Sequence, residues 1–213
     1  FEKIRIAYLD IETGSENGFP NIETANEEVT AITIKVDKKC FVFGRGEFVH
    51  DRKNVFYFRF DSERSLLQKF FEIWDKESPD IVTGWNIETF DIPYLVNRAK
   101  RLFDAKKDPS KLLSPWRKVR EYTMYGMGGK ELQAYSIMGV ETLDYLSTYR
   151  KFTYINQESY RLDHIAFVEL GERKLDYSEQ GSLHLLYKND YQKFIEYNIK
   201  DVELVEQLEG KMK

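Results

Sequence analysis

One stretch of the sequence decides the fold: Ile4-Arg5-Ile6-Ala7-Tyr8-Leu9-Asp10-Ile11-Glu12-Thr13. Its residues alternate between two faces of an extended chain, and both faces are apolar over residues 4–11. A strand that is apolar on both faces is typical of the centre of a sheet with helices on both sides. We therefore predict a central β-strand here, with Asp10 and Glu12 at its carboxyl end.

The rest of the pattern places strands first along the chain and then alternates strands with helices. Strands are predicted over residues 29–36, 40–43, 55–60, 80–83 and 140–143, the first two as a hairpin pair. Helices are predicted over residues 63–76, 91–103, 145–152, 161–170 and 191–208. A second hairpin is predicted over residues 118–136, around Gly126-Met127-Gly128-Gly129. This order indicates an α/β domain with a mixed β-sheet flanked by helices.

Composition limits the possible functions. The chain has 213 residues, of which 42% are hydrophobic and 32% are charged, as in ordinary globular proteins. A net charge of −4 argues against broad binding of duplex DNA but allows a narrow nucleic-acid site built around metal ions. The single Cys40 leaves no disulfide and no thiolate zinc site. With no signal peptide and no apolar run of about 18 residues, we expect a soluble, cytoplasmic protein.

Asp10 and Glu12 are two residues apart, so both side chains lie on the same face of the strand. They continue the row of Ile6 and Tyr8, where side chains are otherwise buried. Two like charges in such a position repel each other and resist losing their water, whereas a divalent cation removes both penalties. A metal site is one interpretation of the pair, and a solvated strand end is the other.

The last predicted helix carries an acid inside its apolar stripe. At about 100° per residue, Asp201 falls on the same face as Phe194, Tyr197 and Leu204. A buried acid is neutral, paired with a base or bound to a metal. Asp201 is therefore a candidate ligand, with an ion pair to a core Arg or Lys as the alternative.

Asp91 is the third candidate acid. It precedes Ile92 and Pro93 at a predicted helix start, which by itself predicts a helix N-cap. Capping and catalysis do not exclude each other, so both roles stay open.

Together these acids resemble the signature of the DEDD superfamily of 3′→5′ exonucleases. Its three motifs stand in order as Asp10-Ile11-Glu12-Thr13, as Asn-x-x-x-Phe-Asp from Asn86 to Asp91, and as Tyr-x-x-x-Asp from Tyr197 to Asp201. Glu196 stands where the histidine subgroup has its histidine, so the chain resembles the tyrosine subgroup. Further segments are similar to family B DNA polymerases, most of all to their T-even bacteriophage branch: Thr142-Leu143-Asp144-Tyr145, Ser159-Tyr160-Arg161-Leu162 and Lys174-Leu175-Asp176-Tyr177.

This resemblance implies a ribonuclease-H-like (DnaQ-like) α/β fold, with a five-stranded mixed sheet flanked by helices. It implies one exonuclease domain over residues 1–213, with an inserted hairpin at about residues 118–136 that in the family helps to separate primer from template. The polymerase palm motif Asp-Thr-Asp is absent from the chain. We therefore expect the proofreading portion of a longer polymerase chain, monomeric, without membrane contact, and acting in the host cytoplasm if it is viral.

The resemblance further implies hydrolysis of the terminal phosphodiester with two divalent metal ions as cofactors, Mg²⁺ or Mn²⁺, about 4 Å apart. Asp10 would bridge both ions, Glu12 and Asp201 would complete the first site, and Asp91 would act on the second. Tyr197 would orient the attacking water, because its reference pKa near 10 makes it a poor base at neutral pH. Lys174 matches a family lysine credited with phosphate handling, and a plain surface lysine is the other interpretation.

The implied substrate is a single-stranded or frayed DNA 3′ end. Phe19 and Phe90 are candidates for stacking on the terminal bases, and anchoring of its own loop is the alternative for Phe19. Asn86 would bind the strand or hold its loop. The backbone of Thr13 and Gly14 would approach the terminal 3′ hydroxyl.

Two other functions compete with that of an active DNA exonuclease. One is a catalytically inactive exonuclease-like module that binds single-stranded DNA or scaffolds a polymerase. Inactive copies commonly lose an acid, and all four acids stand in this chain. The other is a free-standing RNA exonuclease of the tyrosine subgroup, against which the segments around Thr142 and Lys174 argue.

Overall fold

The computed structural model describes residues 3–15, 18–172 and 183–212. Within these residues the chain forms eight β-strands and six α-helices. The strands are β1 (Ile6–Thr13), β2 (Val29–Val36), β3 (Lys39–Gly44), β4 (Val55–Arg59), β5 (Ile81–Gly84), β6 (Val119–Tyr125), β7 (Glu131–Ile137) and β8 (Glu141–Asp144). The helices are α1 (Glu63–Glu77), α2 (Asp91–Leu102), α3 (Tyr145–Phe152), α4 (Leu162–Leu170), α5 (Leu183–Asn189) and α6 (Tyr191–Lys211). None of these described helices is long and apolar enough to span a membrane.

Six of the strands form one mixed sheet in the order β4-β3-β2-β1-β5-β8. The strand β1 lies inside this sheet, as its two apolar faces predict. It is antiparallel to β2 and parallel to β5. The strands β2 and β3 are antiparallel, and β8 lies parallel to β5. The expectation of five strands is wrong by one, because β4 pairs in parallel with β3 and extends that edge of the sheet.

Helices cover both faces of the sheet. On one face Ala7, Leu9 and Ile11 of β1 pack into a core with side chains of α1 and α2. On the other face Tyr8 lies in a cluster with α3, α4 and α6, and Ala31 of β2 lies in another with α5 and α6. The predicted α/β architecture with helices on both sides of a mixed sheet is thus confirmed. The face that carries Tyr8 also carries the acids of β1, so these acids lie on the side that α6 covers.

Local signals set several element ends. The Ser62 side chain accepts a hydrogen bond from the Ser65 amide and caps α1. Gly171 ends α4 with φ +71°, a left-handed conformation that glycine adopts without strain. The strand β1 begins at Ile6, later than predicted, and Ile4 is exposed. The sequence pattern does not predict α5, and α6 runs beyond its predicted end.

The prediction that Asp91 caps α2 is wrong. Asp91 is the first residue of the helix, and Phe90 occupies the cap position without a side-chain hydrogen bond. The backbone amides at the start of α2, to which an N-cap side chain would bind, already donate to backbone carbonyls or are absent. The Ile92 amide donates to a carbonyl of the preceding turn, Tyr94 donates to the Phe90 carbonyl, and Pro93 has no N–H. The Asp91 carboxylate is therefore available to another partner.

The strands β6 and β7 form the predicted hairpin as a separate two-stranded sheet. On α2, Asn97 accepts a hydrogen bond from the Tyr135 hydroxyl of β7, and Lys100 donates one to the same hydroxyl. The Tyr122 hydroxyl of β6 donates to Glu88 Oε1 at 2.7 Å. Glu88 lies in the loop that precedes α2, so the hairpin is tied to the loop that leads to Asp91.

Candidate metal centre

Asp10, Glu12 and Asp201 meet at the carboxyl end of β1. Asp10 and Glu12 belong to β1 and Asp201 belongs to α6. One carboxylate oxygen from each lies within 4.8 Å of the other two. The structure thus brings together the acids of the first and third motifs.

Strand and helix geometry explain this meeting. Every second residue of β1 faces the same side, so Asp10 and Glu12 stand on the α6 face beside Tyr8. A bulge between Glu12 and Thr13 shifts the pairing with β2 near the end of the strand. Asp201 is buried in the part of α6 that packs on β1 and β2, which is where the apolar stripe of the helix placed it.

Asp91 reaches the same end of β1 from α2. Its Oδ1 accepts a hydrogen bond from the Ile11 amide at 3.0 Å, and the side chain is only 3% exposed. Burial raises the pKa of Asp91 to about 8; the Ile11 amide opposes this shift, and the negative charges of Asp144 and Asp201 add to it. The second motif therefore lies beside the group of three acids but outside it.

The burial of Asp91 predicts a pH-dependent stability of the metal-free protein. Folding raises this pKa above that of the unfolded chain, so the folded protein holds the proton more tightly and stability falls as pH rises from about 4 to about 8. Asp91→Asn keeps an acceptor for the Ile11 amide and cannot ionise. We expect this variant to exceed wild type by about 1 kcal/mol or more in unfolding free energy at pH 8, and to match it near pH 4.

Thermal unfolding in excess chelator, followed by circular dichroism at both pH values, measures this difference. Asp104→Asn is the control, because Asp104 is exposed and makes no side-chain cap hydrogen bond. It should unfold like wild type at both pH values. If Asp91→Asn were no more stable than wild type at pH 8, this would contradict the account that a buried charge on Asp91 destabilises the metal-free protein.

Asp144 is a buried acid of this region that sequence reasoning did not select. Its carboxylate accepts hydrogen bonds from the amides of Glu88 and Ser147, at 3.0 and 3.1 Å. Burial raises its pKa, and these amide bonds oppose the rise. Asp144 thus joins the loop before α2 to the start of α3. The signal was an acid between a predicted strand and a predicted helix, a usual position for an N-cap.

Asn198 is a second residue that sequence reasoning missed. It is fully buried on α6, and its side-chain amide donates to Asp10 Oδ2 at 2.7 Å. On a helical wheel it lies about 100° from Tyr197, at the edge of the apolar stripe. A buried asparagine needs hydrogen-bond partners, so its place in that stripe was the available signal.

Of the other predicted site residues, Tyr197 is buried on α6, one turn before Asp201. Asn86 has φ +66°, and its Oδ1 accepts a hydrogen bond from the Thr89 hydroxyl. Asn86 therefore holds its own loop, which is one of the two roles considered for it. Lys174 lies outside the described residues.

Two aromatic side chains lie against each other near the second motif. The ring centroids of Phe19 and Phe90 are 5.4 Å apart, and Phe90 also stacks on Tyr94 at 5.6 Å. Phe90 is half-buried, whereas Phe19 is 82% exposed. Phe19 is thus the outer ring of a short aromatic row.

The backbone at the end of β1 and directly after it is hydrogen-bonded to β2 and to the residue before β2. Thr13 is paired with Val29 of β2, and the Gly14 amide donates to the Glu28 carbonyl at 2.8 Å. The Gly14 N–H is therefore already bonded, and a β-carbon at this position would come within 3.2 Å of the Glu27 carboxylate.

The donor set suits a hard divalent cation. Mg²⁺ and Mn²⁺ prefer carboxylate and water oxygens as ligands. Three carboxylates this close repel each other unless a proton or a cation lies among them. The oxygens of Asp10, Glu12 and Asp201 therefore fit an ion of this type.

Residues 2–165 match the family model described as DNA polymerase family B, exonuclease domain. The chain belongs to this family. The matched residues include Asp10, Glu12 and Asp91, whereas α6 with Asp201 lies beyond them. The sequence-based prediction of a 3′→5′ exonuclease domain of the family B DNA polymerases is confirmed.

Relatives of this exonuclease domain include DNA polymerases of viruses. The DNA-directed DNA polymerase of Escherichia phage RB69 is 35% identical over 98% of the chain, and that of Enterobacteria phage T4 is 34% identical over 97%. The DNA polymerase catalytic subunit of Alcelaphine herpesvirus 1 is 29% identical over 94%. The chain spans only 26% and 25% of the two phage polymerases and 20% of the herpesvirus subunit. The predicted similarity to the T-even branch is confirmed.

Proposed function

We propose that this centre holds two divalent metal ions, Mg²⁺ or Mn²⁺, and hydrolyses the terminal phosphodiester at the 3′ end of single-stranded or frayed DNA. The products are nucleoside monophosphates. The observation that carries this proposal is the convergence of Asp10, Glu12 and Asp201 within 4.8 Å in a member of this exonuclease family.

Each of the four acids has a role in holding the ions. Asp10, Glu12 and Asp201 would hold the first ion, and Asp10 together with Asp91, which lies outside the group of three, would hold the second. When bound, the ions supply an activated water and stabilise the charge that develops on the leaving 3′ oxygen. A cluster of acids without cations repels a phosphate, so both binding and hydrolysis depend on the metal.

Other side chains act on the water and the phosphate. Tyr197 orients the attacking water by a hydrogen bond, and its position one turn before Asp201 supports this role. Lys174 binds the scissile phosphate, as its family motif implies. The Ile11 amide holds the Asp91 carboxylate at the end of β1. Asp91 therefore keeps its position when the DNA strand enters the site.

Phe19 and Phe90 receive the terminal bases. Because Phe90 lies between Tyr94 and Phe19, it supports the outer ring, and the exposed ring of Phe19 offers a face to a base. Asn86 shapes the loop that carries Phe90. The backbone of Thr13 and the carbonyl of Gly14 approach the terminal 3′ hydroxyl.

Phe19→Ala is expected to weaken binding of a single-stranded end. Stacking of a base on an aromatic ring is worth about 1–3 kcal/mol, so KM should rise about tenfold or more while kcat changes little. Steady-state kinetics on a single-stranded oligonucleotide measure both constants. Phe152→Ala, which removes an exposed phenylalanine at the end of α3, should leave KM unchanged. An unchanged KM for Phe19→Ala would mean that Phe19 only anchors its loop.

The experiment that tests the proposed function uses a 5′-labelled DNA oligonucleotide and Mg²⁺. We expect a ladder of products that shortens from the 3′ end, release of mononucleotides, and no cleavage in excess chelator. Binding without any shortening would favour the inactive module that binds single-stranded DNA or scaffolds a polymerase. Cleavage in excess chelator would contradict the metal mechanism, and digestion of RNA alone would contradict the DNA substrate.

We further propose that the chain is the proofreading portion of a DNA polymerase, which delivers a mismatched primer end to this site. The similarity to phage and herpesvirus DNA polymerases over nearly the whole chain supports this context. In it, the β6–β7 hairpin helps to separate primer from template. The hydrogen bond from Tyr122 to Glu88 supports that role, because it ties the hairpin to the loop before Asp91.

A further inference from the structure

Asn198 connects the candidate metal centre to the interior of the sheet. Its Nδ2 donates to Asp10 Oδ2 at 2.7 Å and lies 3.4 Å from the Asp10 backbone carbonyl. Its Oδ1 accepts a hydrogen bond from the Thr33 hydroxyl at 2.6 Å. Asn198 and Thr33 are both fully buried, and Thr33 is the cross-strand partner of Asp10 in the β1–β2 pair. The three side chains therefore form one continuous hydrogen-bonded row from β2 through α6 to β1.

The chemistry of this row fixes the direction of the amide. An ionised carboxylate only accepts hydrogen bonds, so Asn198 must turn its N–H groups toward Asp10. The amide oxygen then faces β2, and the Thr33 hydroxyl supplies the proton that it needs there. If the amide were flipped, its oxygen would face the Asp10 carboxylate, and two acceptors would oppose each other.

We propose that Asn198, backed by Thr33, is a positioning residue that holds the Asp10 carboxylate in the orientation required by the metal ions. This inference rests on the proposed function. Asn198 acts through Asp10 and does not itself contact substrate. A carboxylate has roughly four lone-pair sites, so one amide bond fixes its plane and leaves it able to accept from other groups.

An amide suits this position better than a cationic side chain does. It stabilises the charge of Asp10 beside Glu12 and Asp201 without bringing a positive charge that would repel the ions. Partners that orient metal ligands in this way are commonly worth about 10- to 100-fold in metal affinity or activity.

Titration of the free protein with Mn²⁺ by calorimetry tests this role apart from catalysis. Asn198→Leu keeps the approximate size of the side chain and removes both polar atoms. We expect its Mn²⁺ dissociation constant to rise about 10-fold or more, with a parallel rise in the metal concentration that gives half-maximal exonuclease activity. Thr33→Val should raise the dissociation constant less, because the bond from Asn198 to Asp10 remains. Thr33→Ser keeps the hydroxyl and should match wild type.

Asn97→Leu is the matched control. Asn97 is also a buried asparagine; its amide donates to the Ile22 carbonyl and to Gln133, and it accepts from Tyr135. Its replacement should lower thermal stability as Asn198→Leu does but leave the Mn²⁺ dissociation constant within about twofold of wild type.

The outcomes separate this inference from the proposed function. Wild-type affinity for Mn²⁺ in Asn198→Leu, or an equal loss of affinity in Asn97→Leu, overturns the positioning role while the metal site stands. A wild-type protein that binds no Mn²⁺ overturns the metal site and the positioning role together. If Asn198→Leu does not fold, the two Thr33 variants test the positioning role instead. Weaker Mn²⁺ binding by Thr33→Val than by Thr33→Ser supports the role, and equal binding overturns it.

Discussion

Asp10→Ala is expected to lower the rate of mononucleotide release by about a thousandfold, which corresponds to about 4 kcal/mol in the activation barrier. In the proposed function Asp10 is the acid that would help to hold both ions. Glu12, the next residue on the same strand face, already belongs to the group and is needed for the first ion. Single-turnover digestion of a labelled oligonucleotide at saturating Mg²⁺ measures this loss.

The fold of this variant should persist. Asp10→Ala removes one of several mutually repelling charges, although it also removes the carboxylate oxygen to which the Asn198 amide donates. Circular dichroism and thermal unfolding in chelator check that the protein is folded. Asp104→Ala, which changes an exposed acid, is the matched control and should digest the oligonucleotide at the wild-type rate. Activity of Asp10→Ala within tenfold of wild type would contradict the assignment of this acid.

Arg98→Met is expected to destabilise the protein by about 3–5 kcal/mol, the largest stability effect that we expect from one substitution. The Arg98 guanidinium donates to both carboxylate oxygens of Glu63, at 2.8 and 2.7 Å, and both residues are buried. It also donates to the carbonyls of Ala25 and Asn26, at 2.9 Å each. Without Arg98, the Glu63 charge would be buried without its cation, and these carbonyls would lose a donor.

This ion pair also supports the site. Glu63 accepts a hydrogen bond from the Val29 amide, and Val29 pairs with Thr13 directly after the acids of β1. The pair therefore fixes the entry of the chain into β2 at the edge of the metal centre.

Urea denaturation followed by tryptophan fluorescence measures the loss of stability in Arg98→Met. Arg52→Met is the matched control, since Arg52 pairs with Glu203 at the surface at 3.1 Å, and such a pair is worth about 1 kcal/mol or less. Glu63→Gln in the Arg98→Met background should recover part of the loss, because it removes the buried charge. A loss in Arg98→Met no larger than in Arg52→Met would contradict the account of a buried, desolvated pair.

Much of the fold follows from local patterns in the sequence. The two apolar faces of β1 predict its place inside the sheet, and the alternation that makes them also puts Asp10 and Glu12 on one face. The helical spacing of α6 likewise places Asp201 in a buried stripe. These predictions succeed because the periods of strand and helix depend on the backbone alone.

The remaining features depend on contacts between distant parts of the chain. The position of β4 at the sheet edge is set by pairing with β3, which no local pattern specifies. Asp91 resembles an N-cap locally, but the preceding turn already satisfies the helix amides, so its carboxylate bonds to Ile11 instead. The row from Thr33 through Asn198 to Asp10 joins two strands and a helix and becomes visible only when these elements are packed together.

The measurement that tests the central claim most directly is anomalous diffraction from crystals soaked in Mn²⁺. We predict two anomalous peaks at the carboxyl end of β1, one among Asp10, Glu12 and Asp201 and the other between Asp10 and Asp91. Crystals of Asp10→Ala treated in the same way should lose both peaks. Well-diffracting, Mn²⁺-soaked wild-type crystals with no anomalous peak beside Asp10 would contradict a two-metal exonuclease site.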